Sequence, residues 1–345
     1  MKAAVLTGIR KVEICEIPKP ALDKKSDVLV RVSAVGLCGS DIHYYHEGRI
    51  GDQVVAYPFI VGHECAGVIE EAGSSAHGLK PGSRVAVDPA VVCRACDQCL
   101  AGRPNTCRRL LFLGTPGQLE GCLSEFIVIP AENCYPLEEG VTFEEGVLAE
   151  PLSIGIHSFR LLDGLVPQKI AILGAGPIGL SVLLTAHAYG VSRIYATDKV
   201  DARVTASRTA GASWSGNPDQ EDIVAEIARQ EPGQLDAVFE CSGDPSALDQ
   251  AVDLLRPGGK LMILGIPAGD RVSFDVHKLR RKEIALYNVR RQRHCYEEAL
   301  DLIRTKKTDV RFLATHEFRL EEAAEAFELA ANYRDGVIKA IVRNG

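Results

Sequence analysis

The sequence lacks an N-terminal apolar run of signal length. Met1 to Thr7 is apolar after Lys2, but Arg10 and Lys11 close the run, which is too short for a secretory h-region. Support for an oxidising compartment is therefore missing, and a reducing cytoplasm is expected. Also missing is an excess of positive charge: 39 Lys and Arg face 46 Asp and Glu, for a net charge of -7. Nucleic acid and acidic membranes are thereby excluded as expected partners. There is no internal repeat and no low-complexity linker. One uncharged run, Ile170 to Ser192, is long enough to span a bilayer. Gly174, Gly176, Pro177 and Gly179 fall in its first half, where a turn in lipid would leave backbone groups unpaired. A strand, a glycine turn and a helix buried in a globular domain account for it better.

What remains is a chain of 345 residues with 46% hydrophobic and 25% charged residues. That length exceeds what one core usually supports, so two domains are expected. Eleven cysteines is a high count. Four of them, Cys93, Cys96, Cys99 and Cys107, read C-x2-C-x2-C-x7-C. Thiolates packed so closely suit a tetrahedral S4 zinc site closed to substrate. A pair of disulfides is the competing reading, and it needs the oxidising compartment that nothing supports.

The first 150 residues read as β-rich, with short apolar runs at 28–32, 67–70, 84–87 and 125–129 between Gly, Pro and Asp turns. The middle changes character. Strands at 169–173, 193–197, 235–240 and 260–264 alternate with helices at 177–189, 200–210, 221–230 and 247–255. That rhythm predicts a parallel, doubly wound sheet. Near the end, Leu320, Ala323, Ala324, Phe327 and Ala331 keep helical spacing, followed by a strand at 337–342.

Gly174-Ala175-Gly176-Pro177-Ile178-Gly179 is G-x-G-x-x-G, placed after an apolar strand and at the opening of a helix. Gly174 permits a tight turn, and Gly176 lets a pyrophosphate approach the helix N-terminus. Asp198 ends the next strand. A carboxylate there accepts from the adenosine ribose hydroxyls and repels a 2′-phosphate, which favours NAD over NADP. Lys199 and Arg203 work against that rejection, and a helix cap is the alternative role for Asp198. Elsewhere, Cys38 opens Cys38-Gly39-Ser40-Asp41-Ile42-His43, Gly62-His63-Glu64 follows, and Glu150-Pro151 comes much later. A thiolate, an imidazole and a carboxylate make a plausible catalytic zinc set with one position open.

With these motifs in view, the chain resembles the zinc-dependent medium-chain dehydrogenases, and among them the sorbitol (polyol) dehydrogenases. The carriers are C-G-S-D-I-H-Y at 38–44, G-H-E at 62–64, the four cysteines, F-L-G-T-P at 112–116, A-E-P-L-S-I-G-I-H at 149–157, the Gly174 turn and Thr197-Asp198. The resemblance implies an α/β chain. A GroES-like β-barrel catalytic domain is expected from 1–152 and 290–345, with a structural zinc lobe at 91–108. A Rossmann NAD-binding domain at 153–289 is inserted, with the active site in the cleft. Cys38 and His63 resemble zinc ligands. Glu64 resembles the carboxylate beside the metal, and Glu150 a ligand or a holder of the zinc water. Ser40 and His43 resemble a proton relay; a cap role for Ser40 is the bland alternative. Tyr44, Phe112 and Thr115 match substrate positions. Cys241 resembles the wall near the adenine, and Leu264, Gly265 and Ile266 the segment at the nicotinamide.

The implied activity is NAD- and zinc-dependent oxidation of a polyol secondary alcohol, by a homotetramer or homodimer. One segment departs from the family: Asn288-Val289-Arg290-Arg291-Gln292-Arg293 replaces a phenylalanine-arginine-tyrosine pattern. Either Arg290 or Arg291 is in place to meet substrate hydroxyls; Arg290 is read as holding cofactor phosphate and Arg291 as meeting substrate, and a solvated charge cluster at a helix start is the bland alternative. The same chemistry on a cyclitol, aminocyclitol or sugar acid is therefore the alternative, and a non-catalytic dinucleotide-binding protein the distant one.

Overall fold

The computed structural model describes residues 1–76 and 78–344. The chain divides into two compact units. The first holds Met1–Glu150, Tyr296–Lys306 and Val310–Gly345; the second holds Pro151–Cys295 and Lys307–Asp309. In this division the arginine run falls in the second unit, whereas the expected limits, 1–152 with 290–345 and 153–289, put it in the first.

In the first unit, a seven-stranded sheet runs in the order Cys134–Pro136, Arg84–Val87, Glu64–Ala72, Asp27–Gly36, Lys339–Arg343, Ala314–Arg319, with Phe126–Pro130 paired to Asp27–Gly36. The long central strand Asp27–Gly36 is mostly buried because it is covered on both edges and both faces. Val28, Val30, Val32 and Val35 join Val85, Val87, Ile127 and Ile129 in one core. Each such side chain contributes about 1.5–3 kcal/mol on burial. The C-terminal strand Lys339–Arg343 enters this sheet beside Asp27–Gly36, so residues from both ends of the sequence share its core.

In the second unit, six strands pair in parallel, in the order Trp214–Gly216, Arg193–Thr197, Lys169–Leu173, Leu235–Glu240, Leu255–Ile263, Ala285–Asn288. The order reverses between Lys169–Leu173 and Leu235–Glu240. That reversal marks the crevice where doubly wound sheets take ligands, outside the carboxyl ends of the strands. Ile170, Ala171, Ile172 and Leu173 are almost fully buried, as a strand covered by helices on both faces must be. The uncharged run is a strand, a turn and the helix Pro177–Ala188. Among the described residues, no helix is long and apolar enough to cross a membrane.

Most strands read from the sequence are present. The helix Phe143–Arg160 was not foreseen: Pro151 lies in its interior, where proline removes a ladder hydrogen bond and normally ends a helix. The helix Val276–Lys282 was also not foreseen, whereas the helix Tyr296–Arg304 follows the arginine run where a helix start was expected.

His157 is buried in the second unit, at 2% exposure. Burial, then the charges of Arg293 and Arg160, push its imidazole down to about 4. The native state therefore keeps it neutral while the unfolded chain protonates it near pH 6.5. The resulting stability is complete above that pH and drains as pH falls toward 4. Between pH 7 and 5 the loss is about 2 kcal/mol. Denaturant titrations of His157→Gln should lose this part of the pH dependence. An equal slope in both proteins would show that other groups set it.

Candidate active site

The helix Gly39–Glu47 begins at Cys38, whose backbone N–H donates to the Asp41 carboxylate at 2.9 Å. Cys38 is the N-cap, and Ser40 lies inside the first turn; the alternative that Ser40 caps this helix is corrected. Asp41 is fully buried. Its other oxygen accepts from Gly62 N at 3.0 Å and lies 3.4 Å from His63 Nδ1. One carboxylate thus fixes two backbone segments and one ring. A carboxylate behind Nδ1 sets the tautomer and leaves Nε2 to face a metal.

Donor atoms of Cys38, His63 and Glu64 all lie within 4.8 Å of one another. Burial opposes a charge on His63, yet Asp41 and Cys38 outweigh it and hold the ring well above its usual value. The same anionic surroundings favour a divalent cation, and a sulfur, nitrogen and oxygen set suits zinc. Glu64 is fully buried, and both of its oxygens accept from Lys339 Nζ, at 2.7 and 2.6 Å. Lys339 is itself 1% exposed. A Cβ on Gly36 would collide with the Glu64 carboxylate, so glycine makes the room for this pair. Glu150, 3% exposed, lies outside the three-donor set. Burial, then the charge of Glu64, pushes its carboxyl up to about 7.

Around this group, the Phe112 ring lies 5.3 Å from that of His63. Tyr44 is buried and donates to Gln53 at 3.1 Å, and Thr115 is buried on the loop after Phe112. His43 shares a helix with Ser40, and burial lowers its pKa. His46 is exposed and bonds to Glu47.

The four cysteines form the other cluster. Their donor atoms lie within 4.8 Å of one another, with Cys93–Cys107 and Cys96–Cys107 sulfur pairs at 3.4 and 3.9 Å. A tetrahedron with zinc–sulfur bonds of about 2.3 Å has edges of about 3.8 Å, so the cage fits zinc. All eleven cysteines are free thiols. Backbone donation from Ala95 helps bring Cys93 down to about 6.

In the second unit, Gly174 takes φ +98°, which the turn requires. Gly176 precedes the helix Pro177–Ala188 and no side chain caps it, so its first N–H groups face outward for an anion. Ile178 lies in the first turn, and a Cβ on Gly179 would strike the Gly174 carbonyl. Asp198 does not cap the next helix, whose N-cap is Val200. Its two oxygens accept from Ala175 N and Val200 N, each at 2.8 Å. Arg203 lies over Gly176 and 4.0 Å from Asp198. Lys199 Nζ is engaged by Asp244 at 2.7 Å. Cys241 N donates to Leu173, and Leu264 and Gly265 both donate to the Glu240 carbonyl. Ile266 is exposed. Arg290 and Arg291 follow the edge strand Ala285–Asn288, and Arg160 pins the carbonyls of Arg293 and His294 just beyond.

Sequence reasoning missed Asp41, Lys339 and Glu240. Asp41 stands three residues after a helix start, the position of a capping-box acid. Lys339 is the lone charge in the apolar run Val337–Val342, and a buried charge needs a partner. Glu240 carried no local signal.

Two family models match: the alcohol dehydrogenase GroES-like domain over residues 24–139 and the zinc-binding dehydrogenase domain over 177–305. Sorbitol dehydrogenase of Bacillus subtilis is 36% identical over 99% of this chain and 97% of its own. L-idonate 5-dehydrogenase of Vitis vinifera is 35% identical over 95% and 91%. A solved oxidoreductase/dehydrogenase of unknown specificity from Escherichia coli superposes with a TM-score of 0.94 at 31% identity, over 100% and 99% of the two chains. With its GroES-like first unit and Rossmann-like second, the chain belongs to the zinc-dependent medium-chain dehydrogenases, in their sorbitol dehydrogenase-like subgroup.

Proposed function

We propose that the chain oxidises a secondary alcohol of a polyol, of sorbitol or xylitol type, to the ketone, with zinc and NAD. The carrying observation is the convergence of Cys38, His63 and Glu64 donors within 4.8 Å in a chain of this family. When bound, zinc supplies Lewis acidity that lowers the pKa of an alcohol hydroxyl, and nicotinamide accepts the hydride. Cys38 and His63 hold the metal, with Asp41 fixing both. Glu64 supplies the carboxylate, shared with Lys339. Glu150, near 7, gives and takes a proton beside the site in the neutral range. Ser40 and His43 stand three apart on one helix face; burial keeps His43 neutral and able to accept a proton passed through the Ser40 hydroxyl. Tyr44, Phe112 and Thr115 shape the substrate pocket.

NAD is favoured over NADP because Asp198 is buried at the strand end and Lys199 is committed to Asp244. The four-thiolate cage takes a second, structural zinc and pins the lobe at 91–108, which has few buried side chains of its own. A homo-oligomer is inferred, since the edge strand Ala285–Asn288 is largely exposed. The cytoplasm is the proposed compartment, since the cage needs reduced thiols.

A second reading keeps the chemistry and changes the substrate to a sugar acid. It rests on three arginines, Arg290, Arg291 and Arg293, at the carboxyl edge of the parallel sheet. The test is NADH formation by zinc-loaded protein on sorbitol, xylitol, inositols and aldonic acids, repeated with NADP. Turnover on the neutral linear polyols with NAD supports the main reading. Turnover confined to the acids supports the second, and no turnover on any member refutes both.

A further inference from the structure

Glu240 ends the strand Leu235–Glu240, beside Lys169–Leu173 at the reversal of strand order. It is 1% exposed. A carboxylate is an unfavourable choice for a buried strand end unless donors compensate. Here they do. One oxygen accepts from Ser242 N at 2.7 Å, Ser242 Oγ at 2.6 Å and Gly243 N at 2.8 Å. Burial still pushes the carboxyl above its ordinary value, with these donations pulling the other way.

The turn held this way packs against the loops that follow two neighbouring strands, Lys169–Leu173 and Leu255–Ile263. A Cβ on Gly174 would come 2.7 Å from Ser242 N and 2.8 Å from Ser242 Cα. A Cβ on Gly265 would strike Gly243 N and stand 2.6 Å from the second Glu240 oxygen. Gly243, at φ +74°, leaves no room for a side chain against the Ile266 carbonyl. Ser242 Oγ also accepts from Asp244 N at 3.0 Å, and Asp244 Oδ2 accepts from Lys199 Nζ. A polar chain therefore runs from Glu240 to the residue after Asp198. The backbone carbonyl of Glu240 meanwhile holds Leu264 and Gly265.

We propose that Glu240 is a positioning residue for dinucleotide binding: by holding the Ser242–Gly243 turn against Gly174, it sets the shape of the glycine turn that receives the pyrophosphate. This rests on the dehydrogenase reading, because that reading supplies the ligand. The role is indirect, through Gly174, and touches no reacting atom.

The test is equilibrium binding of NADH, ADP-ribose and adenosine to the full-length zinc-loaded protein. Glu240→Met should weaken NADH and ADP-ribose by about tenfold or more and leave adenosine within about twofold. Turnover at saturating NAD should hold while KM for NAD rises. Glu240→Gln keeps an acceptor oxygen and should recover most of the affinity. Should Glu240→Met fail to fold, Ser242→Ala, at an exposed position, removes one of the three donors; a loss of about threefold for NADH and ADP-ribose, with adenosine unchanged, is then expected. Unchanged ADP-ribose affinity in a folded variant, or an equal loss for adenosine, overturns the proposal. Failure of the wild-type protein to bind NADH counts against the dehydrogenase reading instead, so the two failures are distinguishable.

Discussion

Cys38→Ser is expected to cut turnover by more than about 1000-fold while leaving NADH affinity within about twofold. The size follows from losing the metal's Lewis acidity, worth several kcal/mol in the transition state. A serine oxygen stays protonated where the thiolate would hold zinc, so the set is reduced to a nitrogen and a carboxylate. The fold should survive. The Cys38 backbone N–H ties the helix start to the Asp41 carboxylate, which a serine at this position keeps, and serine is a good N-cap. NADH binding should persist because the glycine turn belongs to the second unit. Initial rates on the best polyol, with NADH binding measured alongside, separate these expectations. Unchanged turnover would remove Cys38 from the ligand set.

Lys339→Met should produce the largest loss of stability, about 3–5 kcal/mol. Lys339 and Glu64 are both fully buried and bonded through both carboxylate oxygens. Removing the ammonium strands a carboxylate in the core of the first unit. Neutralising the partner as well should restore much of the loss, since a buried pair contributes little net stability against neutral replacements. The double variant Lys339→Met/Glu64→Gln is therefore expected to melt above the single one, although it loses activity. Thermal unfolding followed through the first unit should show a fall in Tm of roughly 10 °C for the single variant. A fall of under 2 °C would mean that water reaches Glu64 and that the pair is not the buried lock its geometry indicates.

The sequence exposed the parts of the site that are written locally. The glycine turn needs particular residue types at fixed spacings, and so do the four thiolates. Cys38 and Gly62-His63-Glu64 were legible for the same reason. Asp198 was legible as a strand-end acid, but its grip on Ala175 N was not, because that bond joins two separate strands. Lys339 stayed hidden because its partner is 275 residues away in sequence; only the sheet that joins the two ends of the chain brings them together. Glu240 stayed hidden because an acid at a strand end usually faces solvent, and only the crowding of Gly174, Gly243 and Gly265 shows that this one cannot. The helix Phe143–Arg160, which carries Glu150, was masked by its own proline. Long-range pairing and unusual local chemistry thus hid what short motifs could not reveal.

The central claim is that catalysis depends on metal held by Cys38, His63 and a carboxylate, apart from the four-thiolate cage. Zinc content, measured with NAD-linked polyol oxidation on the same samples, tests it most directly. Wild-type protein should carry about two zinc ions per chain, one for each donor cluster. Brief chelation should remove the one at the mixed site, abolish oxidation and leave about one; added zinc should restore both. Cys38→Ser should carry about one and remain inactive. Full activity in a protein holding one zinc per chain, or oxidation that survives complete chelation, would contradict the account.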